Sequence, residues 1–358
     1  MAVNNRIFYA IQEVGIAPNG TAGANSFTSS HLIHGLQSVG LNTKFNLEQV
    51  FEIGQLEIYE NIENLPDVEI TMEKVLDGYC PIYLLATNGA ASTTLAGRST
   101  QKCVVGLSIF GDTQDAASGT PISEVMLSGQ FLQTLDYTIP VEGNTTESVT
   151  LIGNNKVWRT GTGYFFPGRH TNTDAPLSPY GVSRRQDIIF GTGANACNLP
   201  YGGGGIPGVN QTGPYAGKLV ALSDGSFPAH LQSIKVSTNL GREALNELGR
   251  RGPYYRFVSF PTEVKCDIEC YSTIGDLVDA TEDGVLGSGN NLSNQAIYIQ
   301  LNEGLKLNLG SRNKLQSVNY GGANAGTRGG NATATYSYSN YNSLSVQHPQ
   351  DITVALAG

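Results

Sequence analysis

A mainly β fold with a minor helical part is what this chain predicts, on three observations. Charged residues make up 14% of its 358 residues, well below the roughly 25% of an ordinary globular protein. Glycine (44) and proline (15) are plentiful, as they must be where many turns join short strands. Apolar and polar residues also alternate with a period of two in segment after segment, the mark of half-buried strands. The same composition excludes a helical bundle or a coiled coil.

Strands are expected first at 45–59 and then at 67–73. In the second, Val68, Ile70 and Met72 face one way while Asp67, Glu69, Thr71 and Glu73 face the other. Apolar runs predict further strands at 81–87, 103–110, 217–222 and 232–238. Arg242 to Arg250 reads as the one clear helix, with Ala244, Leu245 and Leu248 on one face, Asn239 as its cap and Gly252-Pro253 as its stop. Its apolar face is expected to brace the outside of the sheet. A strand over 256–270 follows, where Val264, Cys266, Ile268 and Cys270 alternate with Glu263, Lys265, Asp267 and Glu269. Both thiols are read as small core residues. Residues 297–309 predict a hairpin: Ile297, Ile299 and Leu301 lead into Asn302-Glu303-Gly304, and Leu305, Leu307 and Leu309 return.

Residues 1–152 and 231–310 are thus assigned to one β domain. Residues 153–230, crowded with Gly, Pro, Asn and aromatics and holding the only tryptophan, Trp158, read as a peripheral loop-rich insertion. In the last part, 311–358, the stretch 319–343 is rich in Gly, Asn, Ser and Tyr. It has little apolar area to bury by itself and is expected to order through contact between subunits.

No catalytic constellation emerges. Gly191 to Ala196 matches the dinucleotide pattern, but Cys197-Asn198-Leu199-Pro200 follows where a helix must open to hold the pyrophosphate. Gly217-Lys218 has neither the Ser/Thr nor the upstream glycine of a phosphate loop, and no GxSxG or HExxH occurs. The five cysteines include no CxxC pair, so there is neither a disulfide framework nor a zinc site. His31 and His34 have no acid or cysteine within ten residues and read as structural. Asp279, Thr281, Asp283 and Gly284 match the first half of a calcium loop, but Asn290 stands where a bidentate Glu belongs; calcium at 279–290 is left open. The expectation is a protein that is not an enzyme, with no cofactor and no metal.

Net charge is −9, which argues against tight nucleic-acid binding, since that needs clustered Lys and Arg. No apolar run approaches the roughly 18–20 residues of a membrane helix. The N-terminus lacks a basic region followed by an apolar stretch, so a soluble protein made in a cytoplasm is expected. Nine acids against Lys74 alone lie between Glu48 and Asp77. Asp67, Glu69 and Glu73 share one strand face, and Glu263, Asp267 and Glu269 share another. These read either as a solvated sheet face or, because like charges stacked across strands cost stability, as a surface whose function wants repulsion.

The stretch HGLQSVGLNTKFNLEQVFEIGQLEIYENIENLPDVEITMEKVLDGY (34–79), followed by IYLLAT (82–87), resembles the amino-terminal sheet of major tail tube proteins of tailed bacteriophages. LQSIKVSTNLGREALNELGRRGPYYRFVSFPTEVKCDIE (231–269) resembles the helix-and-strand half of the same domain. The resemblance implies a β-sandwich or half-barrel with a flanking helix. Six copies would form a ring, and stacked rings a tube in the virion tail, after synthesis in the host bacterial cytoplasm. Its partners would be further copies, a tape measure protein and a sheath protein, with DNA passing through without tight binding during genome ejection. The six acids above would then line the bore, where carboxylates repel phosphate and let DNA slide. Two other readings remain: another virion structural protein (capsid, sheath or decoration), and a carbohydrate-binding β-protein, suggested by 17 tyrosines and the aromatics around Trp158.

Overall fold

The computed structural model describes residues 7–20, 27–90, 92–111, 121–160, 176–179, 181–188, 230–272, 275–276, 278, 294–322 and 330–351. The N-terminal half runs β1 (Gln12–Pro18), β2 (Leu36–Lys44), β3 (Leu47–Phe51), β4 (Ile58–Glu63), β5 (Asp67–Val75), α1 (Ile82–Ala86), α2 (Leu95–Arg98), β6 (Cys103–Ile109), β7 (Ser123–Pro140), β8 (Thr146–Gly153) and β9 (Val157–Thr160). After it come β10 (Leu231–Asn239), β11 (Arg242–Leu245), β12 (Tyr255–Val258), β13 (Glu263–Tyr271), β14 (Tyr298–Gln300) and β15 (Lys306–Asn308). The chain continues with β16 (Lys314–Gly321), β17 (Thr333–Tyr341) and β18 (Ser345–Gln347). The fold is mainly β, as the composition predicts.

The 18-residue strand β7 organises the molecule. Its first half pairs with β6 and β9, and its second half with β8 and β10. Between the halves the register slips against both β6 and β8, and Gly129 takes φ +67, a value that L side chains rarely adopt. Such bulges bend a strand and increase its twist, so β7 leaves one layer and enters another. Its second half lies within an antiparallel run ordered β16-β17-β13-β10-β7-β8-β5-β2.

One face of that run is the core. Ile70 and Met72 of β5, Leu151 of β8, Tyr137 of β7, Val236 of β10, Cys266 of β13 and Tyr338 of β17 are all buried in one cluster. The cover is α1 together with the small sheet β14-β15-β18, which adds Ile299, Leu307 and Val346 to the same cluster. Each fully buried aliphatic side chain of this kind contributes about 1.5–3 kcal/mol. Cys266 and Cys270 are buried as expected, and burial pushes the Cys270 thiol up to about 11.

Several elements differ from the sequence reading. Within 81–87, Ile82–Ala86 form the helix α1, buried on all sides, and so lack the period that separates a helix from a strand. Its first N–H groups are met by the buried Glu147 carboxylate, which accepts from Ile82 N (2.5 Å), Tyr83 N (3.1 Å) and Tyr137 Oη (2.7 Å). Burial raises the Glu147 carboxyl above its ordinary range, against the pull of those three hydrogen bonds.

The helix expected at Arg242 to Arg250 is absent. Arg242–Leu245 is strand β11, paired with β12, and Asn239 Oδ1 caps only a local turn at Gly241 N. The Arg242 guanidinium donates to Leu132 O, Ser99 O and Arg256 O, which holds this segment extended. Leu245 is 42% exposed and Leu248 104%. Leu245 and Leu248 therefore brace nothing, and Ala244 is a half-buried residue of strand β11.

Residues 45–59 span β3, a turn and the start of β4, and 256–270 divides into β12 and β13. The strand expected at 217–222 and the calcium-like stretch 279–290 lie outside the described residues. Within 153–230, β9 pairs with β7, and Ser183 exchanges backbone hydrogen bonds with Leu76 and Thr145. Within 319–343, β17 joins the sheet and buries Ala334, Tyr336 and Tyr338. β17 itself is paired on both sides within the chain, with β13 and β16. Tyrosine supplies the apolar area there while keeping a polar tip.

These placements give three expected outcomes in urea denaturation. Leu248→Ala should change stability by no more than about 0.5 kcal/mol, while Leu151→Ala should cost about 2–5 kcal/mol. Glu147→Gln should cost about 1–3 kcal/mol, because one acceptor oxygen becomes an NH2 group facing donors.

Candidate functional site

The face of the sheet opposite the core is the candidate site. On β5, Glu69, Thr71 and Glu73 point to this side while Val68, Ile70 and Met72 are buried. On β13, Glu263, Lys265, Asp267 and Glu269 do the same. The six candidate acids therefore share one sheet face, but β8, β7 and β10 run between the two groups.

Those intervening strands are rich in hydroxyls. Thr71 meets Thr150 at 3.3 Å, and Ser233 donates to Glu269 at 3.1 Å. Glu73 lies opposite Ser38 and Ser148, Glu69 opposite Asn42 and Ile152, and Asp136 opposite Ser148 and Ser237. Lys235 pairs across with Asp267 and lies 3.7 Å from Asp136, and Lys265 lies 3.4 Å from Glu263. No described carboxylate on this face has another as its direct cross-strand partner. The single-sign face of the sequence reading is thus mixed. Its acids are spaced by Ser, Thr, Asn and Lys, which relieves the repulsion stacked carboxylates would suffer.

Asp67 sits at the end of the face and differs from the other five. It accepts from Arg256 Nη2 at 2.5 Å and Asn46 Nδ2 at 3.1 Å. Burial alone would raise its carboxyl; those two hydrogen bonds and the charges of Arg256 and Lys44 outweigh it and hold the group below its usual value.

Two hairpins leave the same end of the sheet, β3–β4 between β2 and β5 and β11–β12 between β10 and β13. Phe45, Leu47, Phe51, Ile53, Leu56 and Tyr59 are all exposed along the first. The sequence reading marked its acids and missed its open apolar surface. The signal was present: apolar residues from Leu47 to Ile62 keep no period-two phase, so this hairpin has no single face to bury.

Among the described residues no group of three or more His, Cys, Asp or Glu side chains is placed to hold a metal. His31 Nδ1 accepts from Thr28 N, and the His34 ring stacks on Tyr79 at 3.8 Å, so each histidine has its own local partner.

No family model matches this chain, and neither does any curated protein. Among solved structures it is similar to a component of the anti-feeding prophage baseplate, at 13% identity and a TM-score of 0.32, over 44% of this chain and 98% of that one. A component of the anti-feeding prophage tube-terminating cap is similar at 13% identity and 0.31, over 45% and 95%. A chain of the sheath–tube complex of an extracellular contractile injection system is similar at 11% and 0.31, over 45% and 95%.

Asp67 gives a pH-dependent test. Its depressed folded value means its contribution is fully present above the ordinary 3.8 and is lost as pH falls through the folded value. The stability difference between wild type and Asp67→Asn, followed by urea midpoint, should be constant above about pH 5 and shrink below pH 4.

Proposed function

We propose that this protein is a self-assembling structural subunit of a phage-tail-like tube, with its hydroxyl-and-carboxylate sheet face turned to the bore and no catalytic role. The observation that carries the reading is the pair of open edges. β2 pairs only with β5, and β16 only with β17, among the described residues. Open edges invite pairing with another chain. Joining the β2 edge of one copy to the β16 edge of the next continues the sheet, and a ring removes both of these edges.

The polar face suits such a bore. Its ladder partners are mostly Ser, Thr and Asn, and its acids outnumber its lysines. A polyanion would meet weak, evenly spread repulsion with no clustered cations to hold it. At physiological ionic strength this repulsion extends about 8 Å from the wall. Further copies, a tape measure protein and a sheath protein are the partners this reading supplies.

Electron microscopy of the purified protein should show rings or tubes of even bore. The double variant Glu69→Lys/Glu73→Lys should still assemble but retard DNA passage in an ejection assay, and the defect should ease at high salt. A protein that stays monomeric at every concentration, or a density map with these carboxylates on an outer wall, would refute the proposal.

A further inference from the structure

The long sheet has two unlike ends. At one end Lys44 pairs with Asp67, and Asn239 with Thr134. The β3–β4 hairpin projects from here. Its strands of five and six residues give it a reach of about 17–20 Å at 3.4 Å per residue. At its tip Ile53 and Leu56 are each 103% exposed, and Gly54 turns the chain at φ +97 with nothing within 4 Å of where a Cβ would stand. Glu52 and Glu57 flank these two apolar side chains. From 45 to 63 the hairpin carries Glu48, Glu52, Glu57, Glu60 and Glu63 and no Lys or Arg.

At the other end Pro140 pairs with Ser233, and Leu231 with Cys270. A cavity of about 400 Å³ opens there. Its walls are mainly Ile139, Pro140, Ile188 and Leu231, and Arg185 and His230 stand at it. Both of these side chains are exposed, and among the described residues no carboxylate lines the cavity.

We infer that the hairpin tip of one copy seats in this cavity on the next copy, with Ile53 and Leu56 against the apolar wall and Glu52 and Glu57 facing Arg185 and His230. The inference rests on the self-assembly reading above and supplies its axial contact. The occupant is a second copy of this chain because the acidic, apolar tip and the cationic, apolar cavity are complementary and lie at opposite ends of one sheet. Such a contact is head to tail: it leaves a free tip and a free cavity at each stage, so it propagates as a stack and does not stop at a dimer. The hairpin rises beside β5 and β2, whereas the cavity lies at β7 and β10. These positions are about three strand spacings apart, ~14 Å. Each copy is therefore displaced sideways from the one beneath, and the stack is helical.

The experiment uses the full chain with p-benzoylphenylalanine in place of Gln55. On irradiation of the assembled protein, mass spectrometry should map cross-links to residues 139–141, 185–188 or 230–234 of another copy. In parallel, Ile53→Asp/Leu56→Asp should keep the wild-type melting temperature, since both positions lie in water, and cut the mean stack length at least tenfold. Glu52→Lys/Glu57→Lys and Arg185→Glu should each shorten stacks, and mixing the two variants should restore them. Stacks of normal length in the tip variants, or cross-links mapping elsewhere, would overturn the docking and leave self-assembly standing. A wild-type protein that forms no assembly at all would overturn both.

Discussion

The rest of the structure hangs on one strand that must satisfy two sheets. β7 is paired on both edges at each end of its 18 residues, first by β6 and β9 and then by β8 and β10. No straight strand could serve both layers, and the register slips around Gly129 and Leu132 let the chain change direction while keeping its hydrogen bonds. Once that bend is set, the alternation along its second half fixes which side of the long sheet is core and which is wet. A slip of one residue would exchange the two faces.

Buried charges hold the cover layer over this sheet. Glu147 joins α1 to β7 and β8. Lys74 is bound by Asp77 and His34 O, Arg98 by Asp351, and Glu303 by His348, all in sites almost without solvent. Desolvation takes back much of what such pairs contribute. Their effect is chiefly on geometry: each joins segments whose apolar contacts alone would permit sliding. The Arg98–Asp351 and Glu303–His348 pairs fasten residues 348–351 beneath the sheet.

Strands with one buried and one wet face were legible in the sequence, as Val68 to Met72 and Val264 to Cys270 show. The hairpin through Asn302-Glu303-Gly304 was legible too, because its turn residues and its alternation agree. Elements without a period were not. α1 is buried all round, so Ile82 to Ala86 reads the same for either backbone. Ala244, Leu245 and Leu248 have helical spacing by accident of an exposed hairpin, and only the hydrogen bonds of Arg242 reveal it. β17 was hidden because Tyr336 and Tyr338 are polar on paper and apolar in the core. The candidate face was half visible. Its acids lie in two local runs, but Lys235 and Arg256 reach them from strands far away in the chain, and no local pattern reports that.

The order of strands also bears on when the protein can begin to associate. β2 forms one border of the sheet from residues near the start of the described chain, while the opposite border, β16, is held only through β17 at residues 333–341. During translation the first border is exposed hundreds of residues before the second can exist. On the self-assembly proposed above, a nascent chain would offer one border of the lateral joint long before the other exists. Closure of the proposed ring would then wait for chains that have folded both borders.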